Sequence, residues 1–434
     1  MKQKEFARRR RQLMEAMGEG SIAIVPAAPE RTRNRDVEYP YRQDSDFYYL
    51  TGFPEPGAVL VLLPGHPRNA YVLFVRERDP EMEVWNGYRA GPEGACDSYG
   101  AQESYPIDDI DDILPGLLEP VERVFYTMGN NPEFDQRLIG WVNRLRQQAR
   151  KGVHTPWEFV SLEHHLHEMR LFKDRAELGT MRRAAHVSTT AHRRAMQVCR
   201  PGMREFELQA EFAHEFLRNG CDYAYPPIVG GGANGCILHY IENSAVLRDG
   251  DLVLIDAGAE YDCYAADVTR TFPVNGRFSA EQRALYEVVL AAQDAAIAKV
   301  HPDNDWNAPH EAAVRVLCQG LVDLDIVRGG VDEVIETEAY RPFFMHRTGH
   351  WLGMDVHDVG DYRVSDRWRM LEPGMTLTVE PGLYVRAGSA GVDERWWDIG
   401  IRIEDDVLVT REGGEVLTSE APKSIADIEA LMAA

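Results

Sequence analysis

In the second half of the 434-residue chain, four carboxylates and one imidazole stand where side chains can converge: Asp256, Asp267, His350, Glu380 and Glu404. The stretch DLVLIDAG runs apolar into Asp256 and stops at Ala257-Gly258. A carboxylate that closes an apolar run is costly to bury unless it is paired or binds a metal. Asp267 follows eleven residues on, in YAADVTRTF, a spacing that suits a hairpin whose return strand passes beside the first. In GMTLTVEPG the alternation puts Thr376, Thr378 and Glu380 on one face and Met375, Leu377 and Val379 on the other. Arg402 and Glu404 of IGIRIEDD share a face for the same reason, and His350 comes from the loop-like HRTGHWLG.

Taken singly, each residue is ordinary: an Asp after a strand caps a turn, and a Glu before Pro-Gly is solvated. The set is what carries chemistry. Like charges a few Å apart cannot all ionise unaided, so gathering four carboxylates around one imidazole calls for cations. Hard oxygen donors with one nitrogen suit Mn²⁺, Fe²⁺, Co²⁺ or Zn²⁺, and no thiolate is present to favour a closed structural zinc site. Four carboxylates balance two divalent ions. Such ions, held roughly 3.5–4 Å apart, bridge one water and make it a nucleophile near neutral pH.

The elements that must position these groups read as follows. Asp174 with Glu177 forms a capping-box pattern that opens a helix running to Pro201-Gly202. A second helix spans Glu205 to Arg218, and a third runs from Ser279, with Gln282 three residues on, to about Val300. Strands are predicted over Leu252–Ala257, Ala265–Phe272, Met375–Glu380 and Ile399–Asp405. Helices on one face of a mostly antiparallel sheet make an α+β domain. Ahead of it, Ala58–Leu63 and Ala70–Val75 read as buried strands joined by a turn at Pro64-Gly65. The aspartate-rich Asp108–Asp112 reads as a solvated helix start, since neighbouring carboxylates on a helix point apart. The boundary falls between His165 and Lys173, giving domains 1–170 and 171–434. No internal repeat is visible.

Composition limits the partners. Asp and Glu outnumber Lys and Arg by 70 to 47, a formal charge of −23, which disfavours nucleic acid and anionic membrane. No apolar run approaches the ~20 residues needed to cross a bilayer. The N-terminal MKQKEFARRRRQLMEAMGEG lacks a secretory core and reads as an amphipathic helix. Six cysteines without a C-x-x-C pair indicate reduced thiols and a cytoplasmic location.

The stretches ILHY, DLVLIDAG, YAADVTRTFPVNG, FMHRTGHWLG, DVHDVG, LEPGMTLTVEPGLY and GIRIEDD resemble the aminopeptidase P and prolidase group of pita-bread metallopeptidases. EYPYRQDSDFYYLTGFPEPGAVLVL resembles the aminopeptidase P amino domain, so the likeness runs from about residue 5 to residue 430. It implies a C-terminal pita-bread domain preceded by a smaller creatinase-like α/β domain. The activity implied is release of the N-terminal residue from peptides with proline second, by a hydroxide bridging two divalent ions, of which Mn²⁺ is taken first. Asp256 would bind one ion, His350 and Glu380 the other, and Asp267 and Glu404 both; Glu380 would also be the general base. His239 and His357 match imidazoles around the scissile bond, with His357 stabilising the oxyanion. His346, Tyr384 and Arg402 match the lining of the proline pocket, and Trp85 matches a tryptophan that closes over substrate, often across a subunit contact. A homodimer or homotetramer is implied in the same way.

Arg347 departs from the pattern, because relatives keep a small residue there; its bulky cation beside the pocket bears on which residues follow proline. HPDNDWNAPHEA departs where relatives have a compact Pro-Gly turn, which changes a surface loop. Other readings are prolidase, restricted to Xaa-Pro dipeptides, methionine aminopeptidase, and a metal-free pita-bread binding module or creatinase-type hydrolase. The amino domain argues against methionine aminopeptidase, YRQDSDFYYLTGF against prolidase, and the five filled ligand positions against the metal-free forms.

Overall fold

The computed structural model describes residues 1–434, which divide into two units, Met1–Met169 and Arg170–Ala434. The first is built on a six-stranded mixed sheet. Its strands are β1 (Ser21–Pro26), β2 (Val59–Leu62), β3 (Tyr71–Val75), β4 (Glu103–Pro106), β5 (Arg123–Phe125) and β6 (Glu158–Val160), in the order β4-β3-β2-β1-β5-β6. The two apolar runs pair antiparallel with Val59 opposite Phe74, although the connection spans 63–70 and Pro64-Gly65 forms only its first turn. Helices α2 (Ile110–Leu118) and α3 (Pro132–Gln147) bury Leu114, Leu118, Leu138 and Trp141 against Ile22, Val61 and Phe74. The aspartates of 108–112 do lie at the start of α2 and face solvent.

The N-terminal helix α1 (Gln3–Met17) is amphipathic, but its buried face includes Arg9 and Arg10 beside Phe6, Leu13 and Met17. Arg9 lies over the Tyr49 ring at 4.0 Å, and Arg10 over Tyr71 at 3.7 Å while donating to Leu50 O at 2.7 Å. Ring faces and carbonyls can take a guanidinium out of water, an option that a run of four arginines does not advertise.

In the second unit, α4 (Arg175–Val198) opens with the Asp174–Glu177 capping box, and α5 (Glu205–Arg218) follows. A three-stranded antiparallel sheet, β7 (Ile228–Gly231), β8 (Leu252–Asp256) and β11 (Thr269–Pro273), lies after them, with the short strands β9 (Ala259–Tyr261) and β10 (Tyr264–Ala265) between β8 and β11. The order then repeats. Helices α6 (Ala280–Ile297) and α7 (Ala308–Asp323) precede a second antiparallel sheet of β12 (Thr376–Val379), β15 (Asp405–Thr410) and β16 (Gly413–Val416). The hairpin of β13 (Gly382–Val385) and β14 (Ile399–Arg402) completes the set. One core joins helix residues Ala191, Phe212, Leu285 and Leu317 to strand residues Ile255, Leu377, Ile401 and Val407.

Three predicted boundaries are corrected. The third helix stops at Ile297 because Lys299 and Val300 bond three residues back, tightening the last turn. The strand predicted over Ala265–Phe272 is broken: Tyr264–Ala265 pairs with β9, whereas Thr269–Pro273 pairs with β8. Likewise Ile399–Asp405 is split, with Ile399–Arg402 paired to β13 and Asp405 onward to β12. Asp267 and Glu404 occupy the two breaks, where the backbone changes partners.

Candidate metal centre

Four local features bring the five ligand candidates together. Asp256 ends β8 directly opposite Thr269, which places Asp267 across the hairpin two residues away. The crossing is tight: a Cβ on Gly258 would meet Ala266 O at 1.7 Å, so only glycine lets the chain pass. Glu404 is tied to the same hairpin because its N–H donates to Thr269 O at 3.1 Å. The histidine loop lies along β12 as an added strand. Thr378 N–H donates to His350 O at 3.0 Å, Glu380 N–H to Thr348 O at 2.8 Å and Leu352 N–H to Thr376 O at 3.0 Å. A Cβ on Gly349 would sit 2.1 Å from Thr378 O, which explains the glycine before the histidine.

The ligand atoms of Asp267, His350 and Glu404 fall within 4.8 Å of one another. His350 Nε2 lies 3.3 Å from Asp267 Oδ2 and 3.7 Å from Glu380 Oε1. Its Nδ1 donates to Trp351 O at 2.9 Å, leaving Nε2 to face the carboxylates. Leu238, His239, Asp256, Asp267, His346, His350, His357, Glu380, Arg402 and Glu404 line one cleft, nine of them singled out from sequence.

Burial and mutual repulsion dominate the electrostatics. Burial, then the neighbouring Asp267, pushes the Glu404 carboxyl well above its ordinary range. Burial also lifts Glu380 to about 7 against the pull of His350 and Arg402. Asp256 is raised by burial despite Arg402 beside it, whereas Asp267 is held low, the cost of burial being outweighed by His350, Tyr225 and Arg402 together. The same carboxylates overcome burial at His350 and raise it to about 9. With protons alone the cluster cannot carry its full charge. Divalent ions remove that frustration, so this donor set fits them.

Around the ligands stands a shell that sequence reasoning read only in part. The Tyr225 hydroxyl is 2.6 Å from Asp256 Oδ1 and 2.5 Å from Asp267 Oδ1. Neither Tyr225 nor Thr269, whose hydroxyl donates to Glu404 Oε2 at 2.6 Å, was singled out. Thr269 lies two residues after Asp267 and could have been found by the period-2 rule; Tyr225 in YAYPP carries no such signal. Arg402 donates to Asp256 Oδ2 at 2.6 Å, Tyr384 Oη at 3.0 Å and Thr269 Oγ1 at 3.1 Å.

Tyr384 is buried behind the cleft and bonds His346 Nε2 at 2.9 Å. Because His346 Nδ1 lies 2.7 Å from a carbonyl, Arg347 O, it is the donor, and Nε2 accepts from the Tyr384 hydroxyl. Burial and the Arg402 charge keep this ring neutral, its pKa lowered to about 3. His357 meets His350 ring to ring at 4.3 Å, and His239 stands exposed at the cleft mouth. Trp85 belongs to the first unit and is 82% exposed on the helix Pro80–Asn86.

The family model of metallopeptidase family M24 matches residues 179–411, and that of the aminopeptidase P N-terminal domain matches residues 6–126. The Xaa-Pro aminopeptidase of Escherichia coli K12 is 48% identical over 432 residues, covering 99% of this chain and 98% of its own. The structure of Pseudomonas aeruginosa aminopeptidase PepP superposes with a TM-score of 0.99 at 59% identity, covering 100% of this chain and 98% of that one. Aminopeptidase P from E. coli with the inhibitor Pro-Leu superposes with a TM-score of 0.97 at 47% identity, covering 100% and 98%.

Proposed function

The chain belongs to metallopeptidase family M24, with the aminopeptidase P N-terminal domain in front, and we infer that it is an Xaa-Pro aminopeptidase. It is a metal-dependent hydrolase that releases the N-terminal residue from peptides with proline second. Prolidase is not favoured, since the Xaa-Pro aminopeptidase likeness extends over 99% of the chain. The observation that carries the reading is the convergence of the ligand set, His239, His346 and His357 on one cleft.

Asp256, Asp267, His350, Glu380 and Glu404 would hold two divalent ions, Mn²⁺ first among them; once bound, these would supply Lewis acidity to the substrate carbonyl and acidity to a water. Glu380 takes a proton from the attacking water and delivers it to the leaving nitrogen. That nitrogen needs it: a bond to proline is a tertiary amide with no hydrogen of its own. As the water oxygen bonds the carbonyl carbon and the C–N bond breaks, His357 donates to the carbonyl oxygen where negative charge develops. His239 contacts substrate beside the scissile bond. His346, fixed as the Nδ1–H tautomer by Tyr384 behind it, borders the proline ring. Arg402 holds Asp256 and Tyr384 in one geometry.

Trp85, with Val84 and Tyr88 exposed beside it at 83% and 89%, forms an apolar patch suited to a subunit contact, so the enzyme would act as a homodimer or homotetramer with Trp85 closing over substrate. All six cysteines are free, in keeping with a cytoplasmic enzyme.

A cleavage panel with added Mn²⁺ tests the assignment. Xaa-Pro-Yaa peptides should lose one residue, N-acetylated peptides should resist, and Xaa-Ala or Met-Ala peptides should react much more slowly. Cleavage confined to Xaa-Pro dipeptides would move the enzyme to prolidase, and equal rates for Pro and Ala would remove the proline pocket.

A further inference from the structure

The His357 imidazole makes no hydrogen bond to the protein, and its ring partner is His350 at 4.3 Å. Its aim is therefore set by the backbone that carries it. That backbone, the turn from Trp351 to Asp358, is tied to two strands and closed on itself. Leu352 N–H donates to Thr376 O at 3.0 Å, and Gly353 O accepts from Ala265 N–H at 2.8 Å, tying it to β12 and β10. Asp358 N–H closes the turn on Trp351 O at 2.9 Å.

The residue after His357 is the strongest tether. Asp358 is buried, and its two oxygens are taken by two buried cations: Oδ1 by Arg170 Nη2 at 2.6 Å and Oδ2 by Lys173 Nζ at 3.0 Å. Arg170 Nη2 also reaches Asp355 Oδ2 at 2.8 Å, so two residues of the turn share one guanidinium. Lys173 is fixed through its own N–H, which donates to Gly374 O at 2.9 Å. The packing leaves no slack, since a Cβ on Gly353 would lie 2.0 Å from Asp358 Oδ2 and 2.8 Å from Lys173 Cε. Buried ion clusters of this kind seldom outperform an apolar core in stability, and fixing a unique arrangement is their better attested use.

We propose that Asp358 is a positioning residue for His357: clamped between Arg170 and Lys173, it fixes the backbone that aims the imidazole at the scissile carbonyl. The proposal rests on the reading of His357 as the oxyanion donor. It assigns the cluster to catalysis through one histidine, without contact with substrate.

Four proteins test it, full-length and loaded with Mn²⁺: wild type, Asp358→Asn, His357→Ala and the double variant. Each is assayed on an Xaa-Pro-Yaa peptide, with metal content and melting temperature measured alongside. Asp358→Asn should lower kcat at least tenfold, with KM and metal content within twofold of wild type. In the His357→Ala background the same change should cost less than twofold, because the group it positions is already gone. Equal losses in both backgrounds, or wild-type turnover of Asp358→Asn, would overturn the proposal. If His357→Ala itself turns over normally, the oxyanion reading fails first, a separate outcome. Should Asp358→Asn not fold, Lys173→Met keeps the Arg170 pair; it must show a smaller kcat loss that likewise vanishes beside His357→Ala, and an additive loss counts against the idea.

Discussion

Arg402 donates from Nη2 to Asp256 Oδ2 at 2.6 Å, a charge-assisted bond between two buried side chains. A residue expected to line the proline pocket thus orients a candidate metal ligand, using the other arms of its fork on Tyr384 and Thr269. A lysine keeps the charge but cannot reach three acceptors at once.

Arg402→Lys should therefore cost about 10–100-fold in metal affinity or activity, the usual effect of disturbing an outer-shell partner. Calorimetric titration with Mn²⁺ beside steady-state kinetics checks this. Unchanged binding together with unchanged kcat would show that the fork is dispensable.

Glu380→Ala should remove both a ligand and the general base, lowering kcat by at least about 10²–10⁴. The backbone N–H of residue 380 still reaches Thr348 O, so the fold should survive, as circular dichroism would register. Turnover near wild type would end the assigned role.

Stripping metal should lower the melting temperature, because four carboxylates then face one another in a buried cluster. Added Mn²⁺ should restore it in a concentration-dependent way, by roughly 2.7 kcal/mol at a hundredfold excess over Kd. Identical melting curves with and without chelator would contradict a cation-stabilised site.

His192, which does not line the cleft, gives a pH prediction. It is fully buried in α4, with Nε2 3.1 Å from Ala257 O, and burial followed by the Arg270 charge lowers its pKa from 6.5 to about 3. Between those values the unfolded chain binds a proton that the folded one refuses. Its contribution is thus complete above pH 6.5 and declines as pH falls, by up to about 1.4 kcal/mol per unit. His192→Gln keeps a donor toward Ala257 and removes the titration. Between pH 7 and 5.5 the wild type should lose about 1 kcal/mol more than this variant in denaturant unfolding; parallel losses would show that the ring is not kept neutral.

Arg347 donates from Nη2 to Asn307 Oδ1 at 2.6 Å, and its guanidinium carbon lies 5.0 Å from the Trp368 ring centre, where Arg363 also stacks at 4.1 Å. Two cations on one half-buried ring, one of them from the residue next to His346, should favour peptides with an acidic residue after proline. Arg347→Gly should shrink the kcat/KM ratio of Xaa-Pro-Glu to Xaa-Pro-Lys substrates by up to about fivefold, the scale of an exposed charge pair. A ratio that does not move would assign Arg347 to the surface alone.

The candidate donor set was legible in sequence because a buried carboxylate at the end of an apolar strand is conspicuous, and because period-2 alternation tells which neighbours share its face. The capping boxes at Asp174 and Ser279 announced their helices for an equally local reason: both partners lie within one turn. Local rules also predicted unbroken strands through Asp267 and Glu404, and there they failed. Those segments change sheets, and which backbone a residue pairs with is decided by chain brought in from far along the sequence.

The same limit hid Tyr225, which reaches Asp256 and Asp267 from 31 and 42 residues away, and the Asp358 clamp, whose cations lie 188 and 185 residues earlier. Residue type and spacing determined what this protein could bind and which bond it could break. How each ligand, base and donor is held was decided by contacts between distant segments, since a hydrogen bond or buried ion pair depends on distance in space and leaves no period in the chain.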